Sequence, residues 1–183
     1  MVWIIILVVV VLLVLWVIGV QNRLTNKRMK AENAFADIDV HLVKRYDLIP
    51  NIVNTVKGYA KHEKSTLEDV IKARNAAVSA TGTDAKIDAD NEVTQAISRL
   101  FALTESYPEL KANENFLSLQ TDLRNIETEL AGARKYYNAA ATKYNYAIRV
   151  IPDVLVAKLF KHTAMKLFTA NEEERKNVKV DFE

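Results

Sequence analysis

His62 and Glu63 stand side by side, as the first His and Glu of a zinc-protease helix do. Such a helix needs a second histidine four positions after the first, and the sequence has Thr66 there. Asp37 and His41 are four apart, a spacing that places two side chains on one helix face, where they could share a cation. With three histidines and no cysteine in 183 residues, a full ligand set is hard to assemble, and the pair reads as part of a solvated polar face. There is no glycine-rich phosphate loop and no serine elbow. The sequence predicts no catalytic residue, no metal and no cofactor, and a protein that is not an enzyme.

Polar residues inside apolar lines are harder to dismiss. Ile49, Val53, Val56, Ala60, Leu67, Val70 and Ala77 follow helical spacing, and Glu63 and Arg74 fill the gaps in that line. Further on, Glu127, Arg134, Asn138 and Asn145 each stand one residue after an apolar position of a second line. One reading is a half-buried polar network that fixes helix register; the other is a polar groove for a partner or small ligand, flanked by Tyr137 and Tyr144. If the two lines face each other antiparallel, Glu63 meets Arg134 and Arg74 meets Glu127, whereas a parallel contact opposes like charges.

These residues need helices to position them. The chain has only four glycines and three prolines, too few for a turn-rich β fold. Phe116, Leu119, Leu123, Ile126, Leu130, Ala133, Tyr137, Ala140, Tyr144, Ala147 and Ile151 recur at 3,4 spacing, an a/d seam of five heptads and about 50 Å of helix. Ile151-Pro152 ends it. Upstream, a first helix runs through Leu24, Ala31, Ala34, Phe35, Ile38, Leu42 and Tyr46 to a break at Asp47-Leu48-Ile49-Pro50. With Asp47 as N-cap, Pro50 falls in the first turn of a second helix. That helix stops at Gly82, a third covers roughly 88–104, and Ser106-Tyr107-Pro108 leads into the fourth. A weakly amphipathic stretch, 153–168, and a charged tail around Glu172-Glu173-Glu174-Arg175-Lys176 complete the chain.

Val2 to Val20 is a run of Val, Ile, Leu and Trp broken only by Gly19. As a helix its nineteen residues reach about 28 Å, close to the hydrocarbon thickness of a bilayer. A secretory signal would carry a basic start, a shorter apolar core and a small-x-small cleavage site, and a core helix would show a polar face. The run has none of these. Arg23, Lys27, Arg28 and Lys30 follow it, and the positive-inside rule then places the C-terminal domain in the cytoplasm and the N-terminus outside. The same cations could touch anionic headgroups. The expected organisation is an all-α chain: transmembrane anchor over 1–21, antiparallel, coiled-coil-like four-helix bundle over 22–152, and amphipathic segment plus tail over 153–183.

Several stretches carry a family resemblance. Ala34-Phe35-Ala36-Asp37-Ile38-Asp39-Val40-His41-Leu42, Arg45-Tyr46-Asp47-Leu48-Ile49-Pro50-Asn51-Ile52-Val53, Lys57-Gly58-Tyr59-Ala60-Lys61-His62-Glu63 and Ala73-Arg74 resemble the LemA family. So do Tyr107-Pro108-Glu109-Leu110-Lys111-Ala112-Asn113-Glu114-Asn115-Phe116, Ala133-Arg134-Lys135-Tyr136-Tyr137-Asn138, Tyr144-Asn145 and Val178-Lys179-Val180-Asp181-Phe182. Phe35 replaces a usual Trp, His41 a frequent Gln, and Val43 a commonly basic residue. The resemblance implies a bacterial, single-pass membrane protein with a helical bundle and no assigned catalytic residues. It also implies links to a magnetosome-associated protein and to membrane proteases.

The expected function is that of a scaffold or adaptor of the bacterial inner membrane. Its partners would be the lipid bilayer and another membrane or cytoplasmic protein, a membrane protease among the candidates. Two alternatives are a self-assembling organiser, in which the seam joins copies of the chain, and a small-ligand sensor. A formal net charge of only +2 gives no reason to expect nucleic acid.

Overall fold

The apolar start and the first amphipathic stretch form one helix, α1, Val2–Tyr59. In this computed structural model, which describes residues 1–169, it is followed by α2 (Lys64–Ser79), α3 (Thr83–Thr104), α4 (Pro108–Lys111), α5 (Glu114–Ala147) and α6 (Asp153–Leu159). No strand occurs among the described residues, and the fold is an all-α bundle behind a long apolar N-terminal helix. The charged tail and the Val178–Phe182 stretch lie outside the described residues.

Pro50 does not start a helix. It sits inside α1, where its ring removes the N–H that would serve the Tyr46 carbonyl. The helix continues because Ile49, Ile52, Val53 and Val56 are buried on its inner face, and Arg74 Nε donates to that same carbonyl at 3.3 Å. The chain breaks instead at Ala60–Glu63, where the Glu63 amide closes a turn on the Ala60 carbonyl at 3.2 Å. Gly82 separates α2 from α3 with a φ of 84°, a conformation that a side chain would strain. α3 begins at Thr83, earlier than the apolar periodicity alone predicts.

The chain divides into two compact units. The first combines Met1–Val40 with Glu129–Leu167. There α1 and α5 run antiparallel: Phe35 meets Tyr137 edge-on, ring centroids 5.6 Å apart, while Leu24 and Val20 cluster with Tyr144, Ala147 and Ile148. α6 closes that cluster with Val156 and Ala157. It ends on the left-handed Lys161 (φ 55°), with the His162 amide bonded to the Ala157 carbonyl at 2.9 Å and the Lys161 amide to that of Lys158 at 3.2 Å, a Schellman ending with lysine in the usual glycine place.

The second unit is built on His41–Thr128. It packs α2 and α3 as a hairpin with the end of α1 and the start of α5, burying Leu42, Tyr46, Leu67, Val70, Ile87, Val93, Leu100, Phe116 and Leu123. Asn113 caps α5 by accepting from the Phe116 amide at 2.9 Å, and its amide nitrogen donates to the Tyr59 hydroxyl at 3.0 Å. α1 and α5 are antiparallel here too.

The 3,4 seam of α5 is seen as written from Phe116 to Ala147, every position buried or half-buried. Ile151 departs from it. α5 has ended before it, and the side chain is 85% exposed in the following turn.

Candidate functional site

Two features of the second unit organise polar chemistry around an apolar interior. The first is a buried charge cluster. Arg45 occupies a core position of α1 and is 1% exposed, as is Asp90 on α3. Arg45 Nη1 donates to Asp90 Oδ1 at 2.7 Å and Nη2 to Thr94 Oγ1 at 3.1 Å. The Thr94 hydroxyl in turn donates to the main-chain carbonyl of Asp90 at 2.9 Å. Arg45 Nε lies 2.7 Å from Glu127 Oε1 on α5, whose side chain is 36% exposed. The guanidinium thus ties three helices together, by hydrogen bonds to Asp90 and Thr94 on α3 and by an ion pair with Glu127 on α5. A cavity of about 330 Å³ opens beside it, reaching Phe101, Gln120 and Arg124.

The second feature is a groove of about 620 Å³ between the end of α1 and α2. Its apolar lining comes from Pro50, Val53, Leu67 and Ile71, and its rim from Lys57, Lys61, Lys64 and Lys72. Glu68 is the acidic residue in the lining, and it pairs with Lys64 at 3.6 Å. All four lysines are exposed. The groove therefore offers apolar surface beneath an excess of positive charge.

Of the residues singled out by sequence, Glu127, Arg74, Glu63 and Asn145 each take a different partner. Glu127 pairs with Arg45 and not with Arg74. Arg74 serves the Tyr46 carbonyl, with Asn75 Oδ1 at 3.2 Å and Asp47 at 4.0 Å. The reason is helix order: the end of α1 lies against α5 where the sequence pattern suggested α2. Glu63 accepts from the Tyr107 hydroxyl at 3.3 Å. Burial first, and then the Glu63 carboxylate, raise the Tyr107 pKa above its ordinary 10.0. Arg134 is half-buried on α5.

Asn145 belongs to a different device. Its Nδ2 donates to the Met165 carbonyl at 2.8 Å, and its Oδ1 accepts from the Met165 amide at 2.7 Å. The Tyr137 hydroxyl donates to the Lys166 carbonyl at 2.6 Å, and Asn138 lies half-buried in the next position along α5. Together these hold the segment after α6 along α5. His162 joins that strap to the base of α1: Nε2 lies 3.0 Å from Gln21 Oε1 and Nδ1 2.9 Å from the Tyr144 hydroxyl. With Gln21 Oε1 as acceptor, a neutral ring carries its proton on Nε2 and accepts from Tyr144. Burial, then the charge of Arg28, lowers the His162 pKa below its ordinary 6.5. Burial raises that of Tyr144.

Of the cations that follow the apolar run, Arg23 pairs with Asp153 of α6 and Arg28 with Glu32 at 2.8 Å. Lys27 is half-buried and Lys30 exposed. Asp37 is exposed and His41 half-buried. No group of three His, Asp or Glu side chains that could hold a metal occurs among the described residues. Sequence reading passed over Arg45, Asp90 and Thr94. The available signal was a charged residue at an otherwise apolar position of α1, with another on α3 between Ile87 and Val93.

The sequence pattern of the LemA family matches residues 34–182. A Protein LemA from Metamycoplasma hominis is 24% identical over 163 residues, 88% of this chain and 74% of the relative. Magnetosome protein MamQ 2 of Paramagnetospirillum magneticum is 35% identical over 71 residues, 39% of this chain and 26% of that protein. Magnetosome protein MamQ of Magnetospirillum gryphiswaldense is 34% identical over 68 residues, 37% and 25% of the two chains. The chain thus spans about a quarter of these magnetosome proteins.

Proposed function

The chain belongs to the LemA family, and from that premise we propose that it is a non-enzymatic, membrane-anchored adaptor whose lysine-rimmed groove receives an acidic amphipathic helix of another protein. The groove carries this reading. An amphipathic helix fits a cleft of this size through side chains spaced three and four apart, and the Lys57, Lys61 and Lys72 rim matches acidic residues beside its apolar face. The N-terminal helix is long and apolar enough to cross a membrane. Anchoring would raise the effective concentration of the groove near other membrane proteins. Arg23, Lys27, Arg28 and Lys30 favour a cytoplasmic bundle in the bacterial inner membrane. An impermeant thiol reagent on Asp84→Cys checks that orientation, since the chain has no native thiol; labelling in intact spheroplasts overturns it.

The adaptor reading is tested by photo-crosslinking in cells from residues placed at Lys57 and Lys72, with Lys86, outside the groove lining, as control. Adducts to a different membrane or cytoplasmic protein from the groove positions, lost in Lys61→Glu, are the expected result. Adducts only to further copies of the chain would replace the adaptor with a self-assembling organiser. No adduct specific to the groove removes both.

A further inference from the structure

α6 is apolar on two sides. Its inner face, Val156 and Ala157, packs on Val20 and Leu24, with Val17 against the same cluster. Its outer face carries Leu155, 65% exposed, and Leu159, 69% exposed, one helical turn apart. Ile151, one turn earlier in the corner between α5 and α6, is 85% exposed, and Phe160 at the far end is 48% exposed. A seven-residue helix that shows such a stripe to water gains nothing by it.

Its position supplies the reason. Val17 and Val20 are the last turn of the apolar run Val2–Val20, so α6 lies against the very end of the candidate span. Cations surround the corner: Arg149, Lys158 and Lys161 are exposed, and Arg23 is fixed there by its pair with Asp153. Apolar side chains level with the end of a span, with lysine and arginine beside them, are the composition of an interfacial membrane contact.

We propose that the α5–α6 corner is a second membrane contact of this protein. Ile151, Leu155, Leu159 and Phe160 enter the boundary between headgroups and acyl chains of the leaflet that the span leaves, and Arg149, Lys158 and Lys161 lie among the lipid phosphates. The contact rests on the reading of Val2–Val20 as a span. It makes α6 a collar seated on the bilayer beside the span. Its occupant is lipid, because α6 packs on Val17 and Val20 at the end of an apolar run whose neighbouring side chains, Leu15, Trp16 and Ile18 among them, are exposed.

The test uses the full chain, free of native cysteine, in vesicles of phosphatidylethanolamine and phosphatidylglycerol. Environment-sensitive fluorophores are attached singly to Leu155→Cys, Leu159→Cys, Val10→Cys and Lys135→Cys. Nitroxides are placed on the lipid acyl chains, near either the headgroup or the methyl end. The two α6 labels should each lose roughly half their fluorescence to the shallow nitroxide, Val10→Cys should respond to the deep one, and Lys135→Cys to neither. Quenching at Val10→Cys without quenching at Leu155→Cys and Leu159→Cys overturns the second contact and leaves the span in place. An unquenched Val10→Cys label removes the span and the corner contact with it. α6 labels shielded from a water-soluble quencher yet untouched by lipid nitroxides would mean that protein covers the stripe, and would also overturn the proposal.

Discussion

Arg74 Nε reaches the carbonyl of Tyr46 at 3.3 Å, the carbonyl that Pro50, four residues further on, has no N–H to serve. A side chain on α2 thus stands in for a backbone donor of α1. A helix-interior proline costs about 3 kcal/mol through its lost bond and steric clash, and a replacement donor recovers part of that. The proline is tolerable in α1 because α2 packs beside it and because Ile49, Ile52 and Val53 bury the same stretch.

This substitution of donors predicts coupling between Pro50 and Arg74. Arg74→Met should cost about 1 kcal/mol in the parent chain. In Pro50→Ala, whose new amide can bond to the Tyr46 carbonyl, the same change should cost clearly less. Urea unfolding of the four variants in detergent measures the coupling. Equal losses in both backgrounds would mean that the Arg74 bond compensates for nothing.

The buried Arg45–Asp90 pair predicts an asymmetric response. Asp90→Ala leaves the guanidinium with only the partly exposed Glu127 as a counter-charge, and removal of one member of a buried pair costs about 3–5 kcal/mol. Arg45→Met combined with Asp90→Leu should recover most of that loss, because two apolar side chains of similar reach carry no desolvation penalty. Glu127→Gln should have a small effect, screened by solvent. Thermal or urea unfolding in detergent ranks the variants; a double variant as unstable as Asp90→Ala would count against this account.

His162 predicts a pH dependence of defined sign. Its folded-state pKa lies below the ordinary 6.5, so the unfolded chain takes up the proton first as pH falls. The stability contributed by the neutral ring is complete above about pH 6.5 and is lost as pH drops through the folded pKa. Protonation also places a proton on Nδ1, against the Tyr144 hydroxyl, and loosens the strap. Ring-proton NMR should give a titration midpoint below 6.5, and His162→Gln should flatten this part of the stability profile. A midpoint above the ordinary value would reverse the expected slope.

Much of the fold is legible in the residues because helices are written in local periodicity. The line Ile49, Val53, Val56, Ala60, Leu67, Val70 and Ala77 is buried throughout, and the α5 seam fails only at Ile151. Local reading misplaces the first break because Pro50 is a strong local signal, while the donor that accommodates it, Arg74, lies 28 residues from the Tyr46 carbonyl it serves. For the same reason the pairing of Arg45 with Asp90, 45 residues apart, cannot be read from either stretch alone. Glu127 is legible as a residue beside the seam, but its partner depends on which helix faces α5. The lysine-rimmed groove arises where two stretches meet, and neither stretch alone reveals it.

The clasp that Asn145 makes with Met165 uses only main-chain atoms on the strap side, as does the bond from Tyr137 to Lys166. An asparagine side chain imitates a peptide group, so a helix can accept an extended segment as a neighbouring strand would. These bonds are therefore indifferent to side-chain identity on the strap, whereas His162 holds its end of the segment through its ring. Thr163 and Ala164, whose side chains are exposed, can drift in identity while the segment stays in place, and the information that fixes it resides in α5 and in His162. Evolution could rewrite the outward-facing text of this segment, and so what it offers to the surroundings, without touching the hinge pins that hold it.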